Sequence, residues 1–304
     1  MGVFNFFTHK KRARVTDHGP ASSPAGQEEG GREEITLLGR THLSGIPYVL
    51  PKDGAEEVRL NFQHYALLQV FGTHHLAPLP KAPATILDVG CGTGWWAYEM
   101  ARTFPRAHVI GFDVKSSPRY SAPPVNYTFM QHTVLQPWPI ADASIDYSHQ
   151  RMLVGAIPSI LWPFVLSEHV RVTRPGGCVE VVEGTDCYGA TGPAMALFLE
   201  WGRAAAWTIG IDASLMCRLP DLLREAGLKG VQGQQKAVPL GAWGGRVGDL
   251  LAKDMHAACG SLKGFFLSTL PIAAEQFDAI IAALPEEWEH YRTTYILSTA
   301  YGQK

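Results

Sequence analysis

The sequence predicts an α/β fold: a doubly wound, mostly parallel sheet with helices on both faces. Three observations predict it. Short β-rich runs alternate with helical text from Thr85 onward, and that alternation is the pattern of strands joined by crossover helices. A glycine loop, Gly90, Gly92 and Gly94, follows the first run and precedes a helix. An acid, Asp113, closes the second run. The loop and the acid both stand at carboxyl ends of strands, where open α/β sheets bind ligands.

The elements follow in order. Residues 1–34 are rich in Gly, Ser, Pro, Glu and basic residues, a composition that favours a disordered tail. Residues 35–80 read as an N-terminal helical lid. In "EEVRLNFQHYALLQVFGTHHL", Val58, Phe62, Tyr65, Leu68 and Phe71 recur at three- and four-residue steps, which places them on one apolar helical face. The Pro-rich "APLPKAPA" links this helix to the main domain, residues 81–304.

The strands of that domain are read in "TILDVG", "HVIGFDV", "VNYTFMQ", "SIDYSHQ" and "CVEVVEG". Helical text separates the first from the second and the fourth from the fifth, where it stops at "RPGG". An apolar helical stretch at about 190–218 reads as a cap insertion. After it come a short helix ("PDLLREAGL"), a strand ("VQGQQKAVPLG"), two helices ("RVGDLLAKDMHAAC", "AAEQFDAIIAALPEEWEHY") and a final strand ("TTYILSTAYG").

Composition narrows the classes of function. A formal net charge of −2 over 304 residues gives no overall field that would draw nucleic acid. The five cysteines, Cys91, Cys178, Cys187, Cys217 and Cys259, form no C-x-x-C pair and suit a reduced, cytoplasmic chain. His74 and His75 are adjacent and lack the i, i+4 spacing of a helical metal pair, so no metal site is expected. The longest apolar stretch contains Glu200 and Arg203, so neither a membrane span nor a membrane partner is expected.

The glycine loop narrows the ligand. A dinucleotide fingerprint wants a third glycine where Trp95 stands. The pattern is D-x-G-x-G-x-G instead, with Asp88 two positions before Gly90, and with Cys91 and Thr93 between the glycines. A carboxylate there is awkward for phosphate and suits a cationic ligand such as S-adenosylmethionine, with its sulfonium and amino group. Asp113 lies 25 residues after Asp88 (113 − 88), placed to accept both ribose hydroxyls of an adenosine. A nicotinamide enzyme uses an acid in the same way, so Asp113 points to adenosine and not to the methyl donor.

Taken together, "LDVGCGTG", "VIGFD", "PWPIADASIDYSHQRML" and "RVTRPGGCVEVVE" resemble the class I S-adenosylmethionine-dependent methyltransferases. The chain is similar in particular to small-molecule methyltransferases of bacterial secondary metabolism and their fungal regulator relatives. "EVRLNFQHYALL" is also typical of that branch. The resemblance covers Glu56 to the end. It implies a seven-stranded, Rossmann-like sheet with its last strand antiparallel, and S-adenosyl-L-methionine as cofactor. It places the methionine part against Asp88, Gly90, Cys91, Gly92 and Gly94, and the ribose on Asp113 beside Val114. The adenine falls near His132, Thr133 and Val134. Thr133 stands where many relatives carry Asp or Asn.

Methyl transfer is an in-line displacement, so orientation supplies much of the rate. The same resemblance sets "YSHQRML" against the methyl group. His149 is the candidate base, because an imidazole takes a proton at neutral pH; a hydrogen-bonding role beside the cofactor is the other reading. Arg151 either orients an anionic substrate or forms an ion pair. Glu183 and Asp186 read as polar lining or caps. Trp201, Trp207 and Trp243 are the candidates for a wall around an apolar or aromatic acceptor. The function expected is methyl transfer to such a small molecule, at oxygen, with nitrogen or carbon as the other accepting atoms. The alternative is a protein methyltransferase or a methyltransferase-like regulator.

Overall fold

A computed structural model describes residues 34–45, 47–79, 82–115 and 122–304. The expected tail lies outside the described residues except for its last position, Glu34. Two strands come first: β1 (Glu34–Leu37) and β2 (Arg40–Leu43) form an antiparallel hairpin. Its two turn residues, Leu38 and Gly39, have φ of 48° and 78°, the twisted backbone that suits a two-residue hairpin loop. The sequence reading of 35–80 as purely helical misses this hairpin, because Leu-Gly is not the Asn-Gly or Asp-Gly that announces such a turn.

Helix α1 (Gly54–Phe71) starts where the Asp53 carboxylate accepts from the Glu56 amide and stops at Gly72, whose φ is 70°. Its expected apolar face is not the face it buries. Val58 is 69% exposed and Tyr65 43% exposed, while Glu56, Arg59 and His64 are buried. The buried charges satisfy one another. Arg59 donates from Nε and Nη2 to both Glu56 oxygens at 2.9 and 2.6 Å, and from Nη1 to Asp254 Oδ1 at 2.7 Å. Such pairing makes burial of charge tolerable.

The sheet then builds in alternation. Strand β3 (Thr85–Val89), helix α2 (Trp95–Thr103), β4 (His108–Asp113), β5 (Tyr127–Gln131) and β6 (Ile145–Arg151) are followed by α3 (Trp162–Val172) and β7 (Thr173–Tyr188). Helix α4 (Pro193–Thr208), α5 (Leu219–Glu225) and β8 (Lys229–Pro239) come next. Three helices, α6 (Gly245–Ser261), α7 (Lys263–Thr269) and α8 (Ala274–His290), precede β9 (Thr294–Gln303). The order across the sheet is β5-β4-β3-β6-β7-β9-β8. The five strands from β5 to β7 are parallel, and β9 runs antiparallel to both its neighbours. This is the seven-stranded, doubly wound sheet expected.

Alternation along β3 sorts the core. Leu87 and Val89 enter one buried cluster with Phe112, Val165 and Leu223. Ile86 enters the opposite cluster with Trp96, Met100 and Tyr147. A third cluster joins α1, α4, α6, α7 and α8 through Leu67, Phe198, Trp201, Leu251, Phe266, Phe277 and Trp288. The cap is therefore larger than the expected stretch at 190–218, which supplies only α4; most of it lies between β8 and β9. Among the described residues no helix is long and apolar enough to cross a membrane.

Candidate functional site

Chain order reverses at β3, with β4 on one side and β6 on the other. A crevice opens at the carboxyl ends of these strands. Two connected cavities of about 420 and 630 Å³ fill it. Gly90, Asp113, Leu153, Tyr48 and Lys52 line both. The first also takes Val114, His132, Thr133 and Val134. The second takes Asp88, Cys91, Gly92, His149 and Arg151, with Trp95, Trp96, Gln63 and His64. Ten of the eleven expected cofactor residues thus meet in one cleft. Gly94 is the exception: it sits behind the loop as the N-cap of α2, with φ of 78°.

Gly90 shows why the loop needs glycine. Its φ is 64°, and a Cβ there would lie 2.5 Å from Leu153 Cδ1 across the cleft. Asp113 anchors the loop. Its Oδ2 accepts from the Gly92 amide at 3.0 Å and its Oδ1 from the Lys115 amide at 3.1 Å. Lys52 Nζ stands 3.5 Å from the same Oδ1 and 4.2 Å above the Tyr48 ring. A carboxylate has about four lone-pair sites, so both oxygens retain capacity for hydroxyl donors. Thr133 Oγ1 accepts from the Leu135 amide at 3.3 Å and also keeps its own proton to donate.

The opposite wall is a polar stack. His149 Nδ1 lies 3.0 Å from Asp88 Oδ1, and its ring stacks on Trp96 with centroids 3.7 Å apart and planes 5° apart. Burial, with Arg151 and His75 nearby, holds the His149 imidazole well below its ordinary pKa. Burial pushes Asp88 up to about 7, with Arg151 and His64 pulling the other way. An enclosed imidazole whose protonated form is so disfavoured is a weak general base, so the hydrogen-bonding reading of His149 fits its geometry better.

Arg151 reaches the cavity from the end of β6. Its guanidinium makes one hydrogen bond among the described residues, donating from Nη2 to His64 Nδ1 at 2.9 Å. A guanidinium cannot accept, so the His64 proton is on Nε2, which donates to Glu99 Oε2 at 2.7 Å. Burial and Arg151 hold His64 down to about 4, so it too is neutral. His64, His74 and Glu99 cluster closely enough for a metal ion. Arg151 forces the His64 proton onto the nitrogen a metal would need, however, and the donor set does not fit one.

Glu183 positions the loop that faces Gly90. Its Oε1 accepts from Leu153 N at 3.1 Å and Gln150 Nε2 at 2.9 Å, and its Oε2 accepts from Val154 N at 2.9 Å. The capping role read for it describes these bonds.

The three tryptophans expected around an acceptor line neither cavity. Trp201 is buried in the helical cluster against Phe198 and Phe266, Trp207 is 77% exposed, and Trp243 donates Nε1 to Leu240 O at 2.8 Å. Long apolar side chains on α4 serve the cap's own packing. Sequence reasoning missed Tyr48, Lys52 and Gln63 as lining residues, since no motif marks them.

Residues 86–177 match the model of a methyltransferase domain. The chain is 30% identical over 212 residues to the secondary metabolism regulator LAE1 of Cochliobolus heterostrophus, covering 64% of this chain and 67% of that one. The chain belongs to the class I S-adenosylmethionine-dependent methyltransferases. This methyltransferase is also 28% identical over 256 residues to methyltransferase pytC of Aspergillus terreus, 81% of this chain and 75% of that one. Its fold matches Haemonchus contortus phosphoethanolamine N-methyltransferase 2 with a TM-score of 0.51 at 15% identity. That match covers 83% of the methyltransferase but only 57% of the longer chain. The cofactor is S-adenosylmethionine, and the cleft fits it. Two carboxyls flank a glycine loop that a cationic ligand can approach, and a second lobe ends at Thr133.

Proposed function

We propose that this methyltransferase acts on a small acceptor at an oxygen already ionised when it binds, a carboxylate or an acidic phenol. Arg151 carries the reading. It lines the cavity with one neutral hydrogen-bond partner and no carboxylate of the described residues in ion-pair range. A half-buried guanidinium that faces a cavity with open donors is a ready partner for an anion. An ionised acceptor also needs no general base, which agrees with the weakly basic, enclosed His149 and His64.

In this reading Asp113 takes the ribose hydroxyls, Val114, Thr133 and Val134 border the adenine, and Gly90 to Gly92 carry the methionine half. Lys52 and Tyr48 cover the ribose from the N-terminal side. His149 holds Asp88 in place, and Trp95 and Trp96 exclude water. The cofactor supplies a methyl group on cationic sulfur, which needs only an aligned nucleophile.

The test is a panel of carboxylic acids, phenols and amines with labelled methyl donor. Turnover confined to the acids and phenols supports the proposal; turnover of amines alone overturns it. A second reading, regulation through a protein acceptor, rests on the likeness to LAE1, whose name describes a regulator. Removing residues 1–33 separates the two, since small-molecule turnover should survive that deletion.

A further inference from the structure

Cys187 is next to last in β7 and Cys217 lies in the 3-10 turn Ala213–Arg218. They are 30 positions apart, and no spacing rule connects them. In the folded chain their Sγ atoms are 3.2 Å apart. Both are half-buried, whereas Cys178 and Cys259 are buried. A disulfide needs a sulfur separation of about 2.05 Å, so a closure of roughly 1 Å would bond them. Asp186 completes a three-group cluster with them. Its Oδ2 accepts from Arg203 Nε at 3.0 Å and its Oδ1 lies 3.7 Å from the Cys187 sulfur.

We propose that Cys187 and Cys217 are a reversible thiol-oxidation site whose reagent is hydrogen peroxide. The Cys187 sulfur attacks one peroxide oxygen and the O–O bond breaks. Cys187 becomes a sulfenic acid, and the released hydroxide leaves as water with the thiol proton. The Cys217 sulfur then attacks the Cys187 sulfur, the S–S bond forms as the S–O bond breaks, and the Cys217 proton leaves in a second water. Two thiols lose two electrons and one peroxide becomes two waters. A dithiol reverses the step by exchange. The balance is the same with the two sulfurs exchanged, since either can attack first. The bond would close a loop that contains α4, one wall of the cap. The 3-10 turn carrying Cys217 also packs against the turn Val154–Ala156, and Ala156 lines the adenosine lobe.

The experiment uses the full chain and needs no substrate. The protein is treated with hydrogen peroxide, excess reagent is removed, free thiols are alkylated, and the chain is cut with trypsin. The expected product is the peptide of residues 172–203 joined to that of residues 204–218, two hydrogens lighter, with fragment ions placing the link at Cys187 and not Cys178. Alkylatable thiols in the denatured chain fall from the five of the sequence by two and return with dithiothreitol. The oxidised chain should melt about 5 °C or more above the reduced one, as closure of a loop this long implies. C187S and C217S should lose both the link and the shift. Peroxide that leaves both thiols alkylatable, or carries them to sulfinic acid without a link, overturns the proposal.

Discussion

Asp88 Oδ1 lies 3.0 Å from His149 Nδ1, across two parallel strands whose register sets these residues side by side. The pair sits where the chain order of the sheet reverses, and Trp96 closes its far side. A neutral imidazole has one N–H, so the protonation state of Asp88 decides which ring nitrogen carries it. The pair is therefore a fixed polar floor whose electrostatic state belongs to Asp88.

That state has a pH signature. Burial raises Asp88 from 3.8 to about 7, so the folded chain holds a proton there that the unfolded chain has lost. The contribution to stability is fully present below about pH 4 and is lost as pH rises through about 7. Asp88→Asn removes it. Between pH 5 and pH 8 the wild type should lose about 2–3 kcal/mol more stability than the variant in urea unfolding. Equal losses would mean that Asp88 is not held protonated.

Asp113 is the residue whose loss should be felt most by the cofactor. Asp113→Ala removes the ribose acceptor and frees the Gly92 amide that it anchors. S-adenosylhomocysteine binding by calorimetry should weaken by about 1.5–3 kcal/mol, the range for hydrogen bonds to a charged group. Unchanged affinity would move the ribose elsewhere in the cleft.

Trp201 separates packing from recognition. Buried against Phe198 and Phe266 and outside both cavities, it should matter to stability alone. Trp201→Ala should cost about 3–5 kcal/mol in denaturant unfolding, with the acceptor KM unchanged in the fraction that remains folded. A raised KM without a stability loss would return it to the acceptor site.

The parts of the site carried by consecutive residues were legible in the sequence. The loop from Asp88 to Gly94, Asp113 and Thr133 each sit at the end of a strand that the alternation of text identifies. The parts that depend on distant segments were not. Lys52 meets Asp113 across 61 positions (113 − 52), and nothing in "YVLPKD" marks that reach. Helix α1 misled for a related reason: its apolar steps are regular, but Arg59 has buried partners in Glu56 and Asp254. Periodicity reads apolarity and does not register charges that satisfy one another. The tryptophans of the cap misled because large apolar side chains look alike whether they pack a helix or a ligand.

Arg151 decides what the cavity recognises, and its variants divide the alternatives. The fork binds an anion through paired N–H groups, which lysine cannot reproduce. Two anions compete for the role: the carboxylate of the cofactor and that of the acceptor. If the acceptor supplies it, Arg151→Ala and Arg151→Lys leave S-adenosylhomocysteine affinity within about twofold, and the acceptor KM rises by about 10- to 150-fold, the equivalent of 1.5–3 kcal/mol. If the cofactor supplies it, the loss appears in S-adenosylhomocysteine binding, and the selectivity between acids and amines does not change. Freed from Arg151, the His64 Nδ1 also loses the donor that fixes its tautomer. Its imidazole should then titrate closer to the ordinary range than about 4, a shift readable by NMR in either variant that removes the Nη2 contact. A His64 resonance that stays put would show that Arg151 does not hold the ring.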